Sequence, residues 1–151
     1  MTSKHDPNKV TLAFCRQWFE ARLDRKKPVK CPCCRKRATK SRRRISKRMI
    51  VSLVKMYVRG ECDAKSLRDG SGDYAKLRHW GLVEQASYGR WRVTALGRQW
   101  LQGRAEVPRI AVTYNRRFVR FDEGPMTVFD CYGSQSGFVA MFARVKAGTK
   151  E

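Results

Sequence analysis

The segment LRHWGLVEQASYGRWRVTALGRQWL, residues 77–101, carries the punctuation that decides the fold. Gly81 stops a helix predicted over Tyr74 to Trp80, which Asp73 would cap. Leu82 to Ala86 and Arg90 to Val93 read as two short strands around the turn Ser87-Tyr88-Gly89. Thr94 is a helix N-cap residue. The helix it opens, Ala95 to Gln102, puts Leu96, Trp100 and Leu101 on one face before Gly103 ends it.

Toward the N-terminus, Asp69-Gly70-Ser71-Gly72 is a turn, and Asp63 suits the cap of a short helix from Ala64 to Arg68. Gly60 closes a longer helix that starts between Ser41 and Ser46. Ile45, Met49, Ile50, Leu53, Val54 and Tyr57 form its apolar face. Leu77, Leu82 and Val83 are expected to pack there. A first helix is predicted from Pro7 to Asp24, with Asp6 as N-cap and Val10, Phe14, Trp18 and Ala21 along one stripe. Toward the C-terminus, Arg109 to Tyr114 and Arg117 to Phe121 alternate as a hairpin around Asn115-Arg116. Thr127 to Tyr132 fits either a strand or a short helix, and Phe138 to Val145 is predicted helical. The class is α+β and mainly helical. The expected division is an N-terminal helix (1–28), a basic cysteine turn (29–42), a helical domain with a two-stranded wing (43–104), and a hairpin-and-helix extension (105–151).

Helix, short helix, helix, two strands, helix is the order of a winged helix-turn-helix. LRHWGLVE (77–84) resembles the segment where a recognition helix ends in glycine and enters the first wing strand. GRWRVTALGRQWL (89–101), with its T-x-x-G-R pattern, resembles the second wing strand and closing helix of MarR- and PadR-type regulators. The likeness covers residues 43–103. It implies that Lys76 and Arg78 face the major groove, that Tyr88, Arg90 and Arg92 in the wing reach phosphate or the adjacent minor groove, and that Lys65 and Arg68 contact the backbone. The predicted recognition helix departs from the family in carrying no Asn or Gln. Only Lys76 and Arg78 are long donors there, with His79 adding one contact, which favours phosphate-dominated binding. Trp80, Trp91 and Trp100 read as packing residues. Winged helices also serve as protein-docking modules.

Charge points the same way. The chain has 151 residues with 34 Lys+Arg against 13 Asp+Glu, a net charge of +21. Such a charge binds polyanions. A hydrophobic fraction of 42% with 11% aromatics excludes a simple disordered polycation. Residues 25–60 contain no Asp or Glu. Arg35, Lys36, Arg37, Arg42, Arg43, Arg44, Lys47 and Arg48 form the centre of this block and are predicted nucleic-acid contacts. Duplex DNA is favoured over RNA, because a winged helix suits the B-form major groove while A-form RNA closes its own.

The stretch VKCPCCRKRATK (29–40) resembles one knuckle of a zinc ribbon. The resemblance implies a Zn²⁺ site in which Cys31 and Cys34 are spaced as ligands and Cys33 is a further candidate. The glycine usual after the second cysteine is Arg35 here. A closed site needs further ligands, from Cys62, Cys131, Cys15 and His5, or from the same turn of a second copy in a homodimer. The alternative is a set of reduced thiols in a basic loop, whose neighbours would raise reactivity. Cys15 is expected in the core.

No hydrolase, P-loop or zinc-protease motif is present, and Asp122-Glu123 is the only adjacent acidic pair, so no enzyme is expected. The start MTSKHDPNK lacks an apolar export segment, and no apolar run reaches the ~20 residues that span a bilayer. A bacterial cytoplasmic, nucleoid-associated place without a membrane partner is therefore expected. The whole layout also resembles small proteins of tailed bacteriophages, which implies a phage or mobile-element origin. The expected function is non-enzymatic DNA binding in transcription regulation or other DNA transactions. The alternatives are a phage-type effector that binds and redirects a host protein, and a structural component of a ribonucleoprotein.

Overall fold

A computed structural model describes residues 12–22, 28–32, 35–38, 40–67, 72–114 and 116–148. The fold is α+β. Its elements run α1 (Leu12–Glu20), β1 (Val29–Lys30), β2 (Arg37–Ala38), β3 (Lys40–Arg44), α2 (Lys47–Arg59), α3 (Ala64–Leu67), a 3₁₀ helix (Asp73–Trp80), β4 (Val83–Ser87), β5 (Arg90–Val93), α4 (Ala95–Leu101), β6 (Val107–Tyr114), β7 (Arg117–Met126), α5 (Val128–Tyr132) and α6 (Gln135–Gly148). The strands pair as β1-β2, β3-β6-β7 and β4-β5. Among the described residues no helix is long and apolar enough to cross a membrane.

The chain divides into two compact units, Met1–Arg42 with Val112–Arg120, and Arg43–Ala111 with Phe121–Glu151. In the first unit, the Phe19 ring lies 4.8 Å from that of Tyr114, with Val119 packed alongside. Cys15 on α1 is buried, as expected. The helix ends at Glu20 rather than Asp24. Arg22 just beyond it lays its guanidinium 4.1 Å from the centre of the Trp18 ring and donates to the Trp18 carbonyl. The part of the helix predicted before Leu12 lies outside the described residues.

The second unit is organised by α2. The Ser46 hydroxyl accepts a hydrogen bond from the Met49 amide and caps it. Ile50, Leu53 and Val54 are fully buried and share one core with Leu77, Leu82, Val83 and Trp100. The apolar face read from the spacing is thus the face that packs. Arg42, Arg43 and Arg44 lie in β3, and the helix begins only after Ser46, at the late end of the expected range. Lys55 and Arg59 donate to the carbonyls of Leu67 and Ser66, so both cations close the C-terminal end of α3. The Asp63 carboxylate accepts from the Ser66 amide and caps α3 as read.

The helix predicted over Tyr74 to Trp80 is 3₁₀ in form and starts one residue earlier. Asp73 does not cap it. Gly72 precedes it at φ 67°, and Asp73 bridges to Lys76 inside the first turn. Eight residues is long for this poorer hydrogen-bond geometry. Packing of Tyr74, Leu77 and Trp80 into the core accounts for it, since a three-residue period puts Tyr74, Leu77 and Trp80 on one side. The Trp80 indole N–H donates to the Pro108 carbonyl at 2.9 Å, and that of Trp100 to the Met126 carbonyl at 3.2 Å.

Beyond Gly81, β4 and β5 pair antiparallel, with Val83 opposite Val93 and Glu84 opposite Arg92. Cys62 and Trp91 exchange two backbone hydrogen bonds of 2.9 and 2.8 Å, which tie the segment after α2 to β5. The predicted C-terminal hairpin is longer than the alternation suggested, and Thr127 to Tyr132 resolves as a helix. There the Thr127 hydroxyl accepts from the Asp130 amide, while the Asp130 carboxylate accepts from the Thr127 amide. Phe138 to Val145 lies within the longer α6.

Candidate nucleic-acid interface

The junction of the 3₁₀ helix, β4 and α4 sets the frame for the basic side chains. The Thr94 hydroxyl donates to the Gly81 carbonyl at 2.5 Å and accepts from the Gly97 amide at 3.1 Å. The Thr94 amide donates to the Leu82 carbonyl at 3.0 Å. One threonine therefore joins the end of the 3₁₀ helix, the entry to β4 and the start of α4. Gly97 sits against Leu82 so closely that an added Cβ would overlap its carbonyl oxygen and lie 2.7 Å from a Val93 methyl. This close approach is the physical content of the T-x-x-G spacing.

The predicted contacts on the second unit fall into two groups. Four are held by carboxylates: Lys76 by Asp73 at 2.5 Å, Arg92 by Glu84 at 2.7 Å, Arg90 by Glu61 at 3.4 Å, and Arg44 by Glu123 at 3.9 Å. All four pairs are solvent-exposed on at least one side, so each is worth only ~0–1 kcal/mol. Among the described residues, Arg43, Arg48, Lys65 and Arg78 form no ion pair with a carboxylate. Arg48, Lys65 and Arg78 are exposed, and Arg43 is half-buried. Lys47 stands 5.1 Å over the Tyr132 ring. Tyr88 at the tip of the β4–β5 turn is 100% exposed.

Arg43 of β3 lies within electrostatic reach of His79 in the 3₁₀ helix. It acts together with Arg78 and Lys76 on His79, whose pKa is held below 6.5 first by burial and then by these three cations. An imidazolium there would be partly desolvated and would face like charge. Because the folded protein resists this proton more than the unfolded chain does, stability is full above pH 6.5 and falls as the pH drops below it. The melting temperature should therefore begin to decline as the pH falls below about 6.5, above the range where carboxylates titrate. His79→Gln should flatten that decline; an unchanged profile would assign it to other groups.

Arg35, Lys36, Arg37 and Arg42 are exposed and belong to the first unit. Cys31 is half-buried, at the start of a tight turn in which the Arg35 amide donates to the Cys31 carbonyl and the Cys31 amide to the Lys36 carbonyl, both at 2.9 Å. Arg35 itself adopts the left-handed conformation, at φ 58°, where a knuckle normally places glycine. Cys33, Cys34 and Arg68 lie outside the described residues. Among the described residues no three His, Cys, Asp or Glu side chains come together. The Cys131 thiol donates to the Ile45 carbonyl and burial pushes its pKa up to about 11; the Cys62 thiol donates to the Gly60 carbonyl and is also raised by burial. Both behave as structural thiols of low reactivity.

Sequence reading missed the carboxylate partners. The Glu84–Arg92 pair becomes legible only with the register, since these residues stand directly opposite each other across the hairpin. Glu61 reaches Arg90 because the Cys62–Trp91 bridge draws its segment to β5, which no local pattern announces. No protein family, curated protein or solved structure matches the chain.

Proposed function

We propose that the chain is a non-enzymatic nucleic-acid-binding protein that binds duplex DNA through a winged-helix unit built on residues 43–104. The supporting observation is that Arg78, Arg43 and Lys76 all act on His79 in the 3₁₀ helix, where their charge adds to burial in depressing its proton affinity. Arg43 and Arg78 have no carboxylate partner among the described residues, so a phosphate placed beside them would supply the missing counter-charge. In this reading the 3₁₀ helix addresses the major groove, the β4–β5 turn with Tyr88 lies alongside, and Arg48 and Lys65 contact the backbone. Binding is dominated by phosphate, so it positions the protein on the duplex more than it reads bases.

The double variant Arg43→Gln/Arg78→Gln should weaken duplex binding by ~1–3 kcal/mol in a fluorescence anisotropy titration. Undiminished affinity, with a normal melting temperature, would remove the 3₁₀ helix from the interface. The same reading gives Cys31 a place in a Zn²⁺ site with Cys34 and Cys33, in which the Cys31–Lys36 turn supplies the tight backbone that such a knuckle needs. Elemental analysis of protein purified without chelator should then find about one zinc per chain or per pair of chains, as a structural site requires. Substantially less than half an equivalent would refute it.

A further inference from the structure

Every ion pair described in the second unit engages a predicted nucleic-acid contact residue. Two of the pairs lie on the wing. Arg92 is held by Glu84 directly across the hairpin at 2.7 Å. Arg90 is held by Glu61, both through its side-chain carboxylate at 3.4 Å and through its backbone carbonyl at 3.3 Å. The wing is thus almost charge-neutral in a chain of net charge +21.

We propose that Glu61 and Glu84 are specificity-determining residues: they occupy the wing arginines so that only a densely charged polyanion, a nucleic-acid duplex, displaces them. The inference rests on the nucleic-acid-binding reading above. Displacing a carboxylate from an exposed pair is cheap, but the freed carboxylate is left beside phosphate and must be screened by a cation. That cation cancels part of the counterion release that drives binding. A duplex presents one charge per ~1.7 Å, and a single strand one per ~3.4 Å. The duplex therefore overcomes the cost at the wing, while the single strand binds through the remaining cations and leaves the wing closed.

The test compares the full-length protein with Glu61→Gln/Glu84→Gln, using a duplex oligonucleotide and one of its isolated strands. Glu106→Gln serves as the control, because Glu106 is exposed and forms no ion pair among the described residues. The double variant should tighten binding to both ligands, by about 3-fold for duplex and about 10-fold for single strand, and its duplex salt slope should steepen by roughly 1–2. Selectivity for duplex should fall about 3-fold as a result. If the double variant keeps the wild-type selectivity, or shifts both affinities no more than Glu106→Gln does, the inference is wrong even though the protein binds DNA. If the wild type binds neither ligand, the nucleic-acid-binding reading itself falls, and this inference with it.

Discussion

Gly97→Ala should lower the melting temperature by about 6–12 °C, from a destabilisation of ~3 kcal/mol or more. The position is not demanding in backbone angle. It is demanding in space, because an added methyl would overlap the Leu82 carbonyl oxygen and press on Val93. That carbonyl already accepts the Thr94 amide. Moving it would loosen that bond and with it the hold on Thr94, whose hydroxyl ties Gly81 to α4. Relaxation is thus opposed from three sides, by the end of the 3₁₀ helix, by the entry to β4 and by the cap of α4. Gly124→Ala is the natural comparison, since nothing lies within 4 Å of a Cβ built there, and it should leave the melting temperature within a degree or so. Equal effects of the two substitutions would show that the junction yields, and the proposed orientation of the 3₁₀ helix would lose its frame.

How much was legible in the sequence varied with the range of the interaction. Thr94, Gly81 and Gly60 mark element ends by local chemistry, and the structure places ends where they indicate. The α2 face from Met49 to Val54 was readable because its period is that of a helix with one buried side. The start of α2 was legible only to within Ser41–Ser46, because long basic residues such as Arg42 to Arg44 favour helix locally, while pairing with a β6 that lies more than sixty residues later makes them strand. The 3₁₀ form of Asp73–Trp80 was hidden for a similar reason: Tyr74, Leu77 and Trp80 match a three-residue period, yet their number is too small to separate it from the α period. In the candidate interface, the identity of the cations was legible and their state was not. Which arginine is held by which glutamate depends on strand register and on the Cys62–Trp91 bridge.

The central claim is that the positive charge of this chain meets phosphate. The measurement that bears on it most directly is the dependence of duplex DNA affinity on salt concentration. Arg43, Arg48, Lys65 and Arg78 form no ion pair among the described residues, and Arg90 and Arg92 become available by exchange of their carboxylates. Neutralising about 5–8 phosphates gives a slope of log K against log salt of about −5 to −7. Raising monovalent salt from about 50 to about 200 mM should then weaken binding by roughly 10³- to 10⁴-fold. A near-flat dependence, with a slope of magnitude below about 2, would contradict the account: it would mean that the basic surface does not lie on the phosphate backbone.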